Sequence, residues 1–334
     1  MTEQTTTSAR YSNLPRFSQF SLRNLLGERT VILALLILVI SVILSTLTPA
    51  FLSSRNLTFV VTGMTYDLLM ALGMTVVLLL WGIDLSVGSV LGLTAVITTM
   101  LLQDGVSIPL AIAGGLAVSA LCGAINGYFV AYLKIAPFIV TLGMMSVARG
   151  IATVLTSGYF VSGLPEGYRN LGQGTLLGVP YMVYFALLLV VLLHYLFHNW
   201  RVLKEAFYIG TNPEAARLSG IRVAAITMSG FIFCSLMAGI AAVFMTSRLS
   251  MGFFQFGLGA ELKAIAAAVI GGASLTGGTG SILGTTLAVL LLAIINNGFV
   301  LLQGSPNWQN VIMGAILVVA IMIDAYRRRK EARE

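Results

Sequence analysis

Long apolar runs, each of roughly the length that a helix needs to cross a bilayer, recur along almost the whole chain. A hydrocarbon core of about 30 Å requires about 20 apolar residues per helix. The sequence predicts ten such segments: 30–48, 57–80, 86–102, 108–131, 137–157, 179–199, 224–247, 261–273, 281–302 and 309–326. The runs 86–102 and 261–273 are short and are expected to be broken or re-entrant. The chain is therefore predicted to be an all-α polytopic integral membrane protein with about ten transmembrane helices.

Composition excludes several other classes of protein. Of the 334 residues, 57% are hydrophobic and 9% are charged, and the mean hydropathy is +0.95. An ordinary soluble domain carries about 25% charged residues, so this chain has too little polar surface for a soluble globule. Disorder, a fibrous protein and a secreted disulfide scaffold are excluded on the same grounds. Cys122 and Cys234 lie inside apolar runs, and we interpret them as small core residues rather than a disulfide.

No catalytic or nucleotide-binding motif is found in the sequence. The Gly-rich stretch 271–284 lacks the G-K-[ST] ending that a phosphate-binding loop requires. His194 and His198 lie one helical turn apart without a nearby carboxylate, so we interpret them as interfacial residues rather than metal ligands. The sequence therefore predicts neither an enzyme nor a metal site.

The basic residues set a predicted orientation. Ten spans place both termini on one side; if that side is cytoplasmic, 14 of the 19 Lys and Arg lie inside. The chain then divides into a cytoplasmic tail (1–29), a transmembrane domain (30–326) and a basic cytoplasmic tail (327–334). The domain contains one long outer loop (158–178) and one long inner loop (200–223). Because the net charge of +7 comes from segments beside the apolar runs, no nucleic-acid partner is expected. Residues expected at the interfaces with membrane lipid are Trp81, Trp200 and Trp308.

Three segments carry a specific resemblance when they are taken together. They are GIDLSVGS (82–89), NPEAARLSGI (212–221) and AIAAAVIGG (264–272). In this order and spacing they resemble the membrane permease subunits of bacterial ABC importers for monosaccharides. These are the ribose, xylose and arabinose-type permeases, which are related to the branched-chain amino acid permeases. The resemblance covers roughly residues 35–325.

The resemblance implies a function and a set of partners. The chain would be a multi-pass protein of the bacterial inner membrane that forms the translocation path for a monosaccharide and works by alternating access. A cytoplasmic ATP-binding subunit would hold ATP and Mg, so this chain would have no cofactor and would not be an enzyme. A periplasmic sugar-binding protein would dock on the outer loops 158–178 and 248–260, and a second permease subunit, identical or related, would complete the pore. The alternative cargoes are a nucleoside, a sugar-derived signal or a branched-chain amino acid; a secondary transporter is a weaker alternative.

The resemblance assigns the role of coupling helix, which would contact the ATPase, to 211–221. The residues concerned are Asn212, Pro213, Glu214, Ala215, Ala216 and Arg217. Asn212 is suited to cap a helix and Pro213 to its first turn. The spacing predicts an apolar face formed by Ala215, Leu218 and Ile221. A surface helix that merely lies along the membrane is the alternative interpretation. Thr211 departs from the family pattern, in which many relatives have Gly.

Polar residues within or near the apolar runs are candidates for the translocation path or a gate. They are Asp67, Asp84, Ser86, Asn126, Arg149, Lys263, Asn296 and Asn297. An unpaired charge in mid-membrane costs at least about 2.5–3.5 kcal/mol on insertion scales, so we expect Asp67 to pair with Arg149 or Lys263. Asp84 is expected mainly to cap the following helix. The three asparagines either bind sugar hydroxyls or join helices.

Three further patterns concern the helix ends and the outer face. Glu261 is expected beside Lys263 at the outer edge of its span. The pattern G-S-x-L-G occurs at 88–92 and again at 280–284, which is typical either of matched broken helices in a transport path or of close helix packing. Aromatic residues near the outer ends either stack on sugar rings or form a docking surface or a membrane-interface belt: Tyr159, Phe160, Phe253, Phe254 and Phe256.

Overall fold

The computed structural model of the chain describes residues 28–305 and, beyond them, 308, 311, 314, 315, 318, 319 and 322. The predicted tails 1–29 and 327–334 and the span 309–326 lie wholly or largely outside these residues. Helices account for most of the described chain. In order they are α1 (Glu28–Leu47), α2 (Ser54–Leu79), α3 (Val87–Gln103), α4 (Ile108–Ala131), α5 (Pro137–Thr156), α6 (Glu166–Gln173), α7 (Tyr181–Asn199), α8 (Arg201–Thr211), α9 (Pro213–Leu218), α10 (Val223–Leu249), α11 (Ala260–Ile270) and α12 (Ile282–Leu301).

Seven of the described helices are long and apolar enough to cross a membrane, namely α1, α2, α4, α5, α7, α10 and α12. This confirms a polytopic helical membrane protein. Within a bilayer a helix satisfies its own backbone hydrogen bonds, so each apolar run becomes one helix. The ends of these helices, and of α3 and α11, fall within three residues of the predicted ends. Since α3 and α11 are shorter, the count of ten spans stays a prediction.

Helix α10 lies at the centre of the bundle, packed against α2, α3 and α4. Small residues allow this close packing, because apolar attraction between helices is weak in lipid. Gly123 and Gly127, one turn apart on α4, face the backbone of α10. A methyl group at Gly123 would fall 2.7 Å from the Ile232 Cα, and one at Gly127 2.8 Å from the Met228 Cα. The two helix axes therefore approach more closely than larger residues would permit.

The outer loop 158–178 is ordered by α6 and by a small antiparallel hairpin, β1 (Thr175–Leu176) and β2 (Val179–Pro180). These two-residue strands are the one departure from the predicted all-α class in the described chain. Tyr168 of α6 is fully buried against α10, where its hydroxyl lies 2.6 Å from Thr246 Oγ1 and donates to the Val243 carbonyl at 3.1 Å. The loop is thus anchored to the central helix.

Two non-helical segments enter the bundle. Residues 80–86 join α2 to α3, and residues 250–259 join α10 to α11. The second segment follows α3 along its length: Gly252 contacts Thr99, and the Phe254 carbonyl contacts Gly92. Its outer end pairs with Val161 through two backbone hydrogen bonds of 2.8 Å. The predicted outer loop 248–260 is therefore largely a re-entrant segment.

Candidate functional site

The first turns of α3 and α11 meet at the point where the two re-entrant segments end. A methyl group at Gly257 would fall 3.0 Å from the Gly88 Cα, so only glycine fits this contact. The Glu261 carboxylate also lies beside Gly88. Glu261 was expected at the outer edge of a span, and that placement is wrong, because 250–259 carries the start of α11 down to the first turn of α3. Paired helix starts inside a bundle form a polar region at membrane depth.

Arg149 of α5 holds the re-entrant segment against α3. Its guanidinium donates to the carbonyl oxygens of Phe254 and Phe256, the latter at 2.9 Å. Gly92 provides the space, since a methyl group there would fall 2.7 Å from both Arg149 Nη1 and the Phe254 oxygen. In lipid these carbonyls would otherwise lack a donor. Arg149 is half-buried, and Glu261 lies near enough to act on it electrostatically.

The expected ion pair of Asp67 with Arg149 or Lys263 is not formed. Within the described part of the chain, the ion pairs are Arg201–Glu205 at 2.7 Å and Arg217–Glu214 at 2.6 Å. Arg149 binds backbone carbonyls instead. Lys263 acts on Asp67 through space, without direct contact. Both Asp67 and Lys263 are half-buried, and α2 packs against α11. Asp67 therefore has Lys263 as a neighbouring charge but no ion-pair partner among the described residues.

Asp84, Ser86 and Asn126 form one fully buried polar cluster. Asp84 Oδ1 accepts from the Ser86 amide at 2.9 Å and from the Ser86 hydroxyl at 2.6 Å, and Asn126 donates to that hydroxyl at 2.9 Å. The expectation that Asp84 caps α3 is wrong, because its Oδ1 is taken up by Ser86, the residue before the helix, and none of the first amides of α3 donates to it in the described chain. Among the described residues, none donates to Asp84 Oδ2 or Asn126 Oδ1. The cluster joins the re-entrant segment 80–86 to α4, and two of its acceptor oxygens have no donor among the described residues.

The remaining asparagines have different surroundings. Asn297 of α12 exchanges two hydrogen bonds with Asn56 of α2, at 2.9 and 2.8 Å. Asn297 therefore joins two helices, which is one of the two roles expected of it. Asn296 is partly exposed. The two residues lie next to each other on α12 but face different environments.

The inner loop 200–223 forms two helices, α8 and α9, with only Asn212 between them. Asn212 Oδ1 accepts from the Glu214 and Ala215 amides at 3.1 and 3.0 Å, so it caps α9 as predicted. Glu214 and Arg217 form an exposed ion pair, and the Arg217 guanidinium lowers the pKa of the Glu214 carboxyl.

The predicted apolar face of this segment is wrong. Ala216 is the buried residue of α9, whereas Ala215 is exposed and Leu218 is 79% exposed. The helix ends at Leu218, after six residues, so the chain turns before Ile221 can join a common face. The result is a short capped helix with charged and apolar groups directed outward.

Other candidate residues are also placed by the structure. In the described chain, no group of three metal-ligating side chains is present, and the rings of His194 and His198 lie 4.5 Å apart.

Phe253, Phe254 and Phe256 pack against one another within the re-entrant segment, whereas Tyr159 and Phe160 are exposed. Glycines of both G-S-x-L-G copies touch neighbouring backbone, Gly88 at Gly257 and Gly284 at Gly271. Close packing thus explains both copies.

Comparison with known proteins decides the family. Residues 56–321 match the family described as branched-chain amino acid transport system, permease component. The chain belongs to this family. The permease is also 37% identical to the ribose import permease protein RbsC of Escherichia coli K12 over 328 residues, 97% of this chain and 99% of that protein. No solved structure matches it.

Two further relatives carry other names. The autoinducer 2 import system permease protein LsrC of Escherichia coli O157:H7 is 35% identical over 302 residues, 90% of the permease and 88% of LsrC. The L-arabinose ABC transporter permease protein AraH of Azospirillum brasilense is 34% identical over 298 residues, 89% of the permease and 88% of AraH. These relatives and the seven apolar helices identify the permease as a multi-pass protein of the bacterial inner membrane.

Sequence reasoning missed several residues of the site. The Phe254 and Phe256 groups that Arg149 binds are backbone carbonyls, which have no side-chain signature. Trp81 was assigned only to an interfacial belt, but its indole donates to the Gly210 carbonyl. The glycine-rich run 252–259 was the available signal for the re-entrant segment, because Gly257 and Gly259 have positive φ.

Proposed function

We propose that the permease is the transmembrane subunit of an ATP-driven importer for a monosaccharide and works by alternating access. The observation that carries this proposal is the similarity, over most of the chain, to permeases named for ribose and L-arabinose import. ATP and Mg bind to a separate ATPase subunit, so the permease itself is not an enzyme and holds no cofactor. The proposal includes the ten predicted spans and a cytoplasmic location for both termini.

The helix α9 is the proposed contact with the ATPase. A partner that pushes on the permease needs a rigid, exposed element, and α9 is capped at its start by Asn212. Its exposed residues offer charge and apolar surface together, from the Glu214–Arg217 pair and Leu218. Such a mixed surface is typical of a protein interface.

The outer face offers a cleft with two arginines to the periplasmic sugar-binding protein. The cleft measures about 750 Å³ and is lined by Arg55 and Arg248 together with Ser53 and Ser54. Two arginines favour acidic side chains on the docking protein. The anchored loop 158–178 borders the same side of the bundle. A second permease subunit, identical or related, completes the pore.

The meeting point of α3 and α11 is the proposed translocation path. Arg149 and Glu261 lie there, and hydroxyl groups of a sugar match the donors and acceptors of such residues. Asp84 and Ser86, shortly before Gly88 in the chain, form the buried cluster with Asn126 of α4, and two acceptor oxygens of this cluster can be used in a rearranged state. The roles of Asp67, Lys263 and Asn296 in the path or gate are part of the same proposal.

The decisive experiment purifies the complex in mild detergent from the native host. We expect an ATPase subunit to be recovered with the wild-type permease and to be lost with the double variant Glu214→Ala/Arg217→Ala. The matched control is Arg201→Ala/Glu205→Ala, which removes the other ion pair of the inner loop and should retain the ATPase. Absence of an ATPase from the wild-type preparation in several detergents would contradict the proposal.

Uptake by the purified complex in proteoliposomes identifies the cargo. D-Ribose, L-arabinose and autoinducer 2 are compared, each with the binding protein that copurifies. Uptake of a pentose supports the monosaccharide proposal. The similarity to LsrC makes a sugar-derived signal the second candidate. Uptake driven by a proton or sodium gradient in the permease alone would indicate a secondary transporter instead.

A further inference from the structure

Trp81 occupies an unusual position between the inner loop and the membrane-embedded chain. It follows the last turn of α2 with φ of +64°, a left-handed conformation that is uncommon for a bulky residue. The residue is 52% exposed, yet its indole Nε1 donates to the carbonyl of Gly210 in the last turn of α8. The side chain thus joins two elements that are 129 residues apart.

Three glycines allow this junction to close. Gly277 lies directly on the indole of Trp81, where a side chain of any size would collide with the ring. Gly278 donates to the Leu79 carbonyl at 3.0 Å. A methyl group at Gly210 would fall 2.8 Å from the Gly278 Cα. The end of α2, the end of α8 and the connection between α11 and α12 therefore meet in backbone contact.

The junction is connected rigidly to α9. Asn212 is the only non-helical residue between Gly210 and the first turn of α9, and its amide continues the ladder of α8 by donating to the Tyr208 carbonyl at 3.0 Å. Since its side chain also caps α9, Asn212 belongs to both helices. A displacement of α9 is therefore transmitted to Gly210 through Asn212 and Thr211.

On its other side the junction leads into the re-entrant segment. Trp81 precedes Gly82, which packs against Val77 and Phe231, and two residues later comes Asp84 of the buried cluster. The segment ends at the first turn of α3, which contacts Gly257. A movement of the Trp81 indole therefore reaches the proposed path through six residues of chain, 81–86.

We propose that Trp81 is a positioning residue that transmits movement of α9 to the re-entrant segment 80–86 and the start of α3. This inference rests on the proposed function, because it assumes that an ATPase moves α9. The indole N–H is the link, since among the described residues it is the side-chain group that joins the end of α2 directly to the last turn of α8.

The test compares Trp81→Phe with Trp200→Phe in the full complex. Trp200 is also 52% exposed and also adjoins α8, so it is a matched control. We expect Trp81→Phe to keep the ATPase bound and to hydrolyse ATP at the wild-type basal rate. Uptake of the probe D-ribose should fall about tenfold, the effect of one hydrogen bond of about 1.4 kcal/mol lost from a moving state. Trp200→Phe should transport within about twofold of wild type.

A reporter cysteine measures the transmission itself. Leu85→Cys places a half-buried thiol in the re-entrant segment, and the native Cys122 and Cys234 are buried. ATP with vanadate should change its maleimide labelling rate in otherwise wild-type complex and in Trp200→Phe, but not in Trp81→Phe. Equal labelling of the three proteins without ATP verifies folding.

Three outcomes overturn the inference: wild-type uptake by Trp81→Phe, an ATP-dependent labelling change that survives in it, or loss of the ATPase from it. The last would make Trp81 an assembly residue. If the wild-type complex contains no ATPase, the proposed function fails before Trp81 is tested, so the two failures are distinguishable.

Discussion

Gly88, in the first turn of α3, lies against the backbone of Gly257, which ends the re-entrant segment in front of α11. The contact leaves no room for a side chain on either residue. It brings two helix starts together although their residues are far apart in the chain. The proposed translocation path therefore depends on backbone packing as much as on polar side chains.

Gly88→Ala and Gly257→Ala are expected to separate α3 from α11. Overpacking costs about 1–3 kcal/mol, and Gly257 has φ of +75°, which adds backbone strain for alanine. Both variants should lower the thermal unfolding temperature in detergent and reduce uptake. Gly143→Ala on α5 is the control, because nothing lies within 4 Å of the position. Equal stability of the Gly88 and Gly143 variants would refute the close contact.

Removal of the Arg149 guanidinium should release the re-entrant segment. In Arg149→Met the Phe254 and Phe256 carbonyls lose their donor, and each unsatisfied buried acceptor costs about 1–3 kcal/mol. We expect lower thermal stability and faster proteolysis within 250–259. Ser146→Ala, an exposed position on the same helix, serves as the control. Undiminished protection of that segment in Arg149→Met would show that Arg149 does not hold it.

Tyr168 should anchor the outer loop in its neutral form. Burial raises the pKa of this phenol to about 12 from 10.0. The folded protein holds the phenol proton more tightly than the unfolded chain does. The resulting contribution to the free energy of unfolding is therefore complete below pH 10 and is lost as the pH rises from about 10 to 12. Ultraviolet titration of wild type against Tyr168→Phe should show one late-ionising tyrosine that the variant lacks.

Tyr168→Phe should also destabilise the loop at neutral pH. It leaves Thr246 and the Val243 carbonyl without the hydroxyl, at a cost of about 1 kcal/mol. Faster proteolysis of 158–178 is the expected readout. If the tyrosine that Tyr168→Phe removes from the wild-type titration ionises near pH 10 instead of near pH 12, the buried anchor is contradicted.

The proposed orientation can be tested by cysteine labelling. Leu177 in the β1–β2 turn is 92% exposed and Leu218 on α9 is 79% exposed, whereas both native cysteines are buried. In intact spheroplasts, a membrane-impermeant maleimide should label Leu177→Cys but not Leu218→Cys. Disruption of the membrane should expose Leu218→Cys to the reagent. Labelling of both variants in intact spheroplasts would place the two loops on the same side.

The sequence predicted most helices well because each apolar run of about 20 residues has one stable conformation in a bilayer. It also predicted the Asn212 cap, since capping depends on the neighbouring residues alone. It failed for the partners of Asp67 and Arg149, because a charge in a span can be satisfied in several ways. The backbone carbonyls of Phe254 and Phe256 compete with carboxylates for the Arg149 guanidinium. Every residue has a carbonyl group, so the sequence does not indicate which ones bind.

Without any fold, the amino-acid sequence was enough to identify a helical membrane protein and the permeases that it resembles. Hydropathy and local motifs act over a few residues, so they can be interpreted without the fold. The folded chain was needed to see that 250–259 runs back along α3, that Gly88 contacts Gly257 and that Trp81 reaches Gly210. These contacts join segments more than 100 residues apart, and they depend on how closely glycine lets two backbones approach.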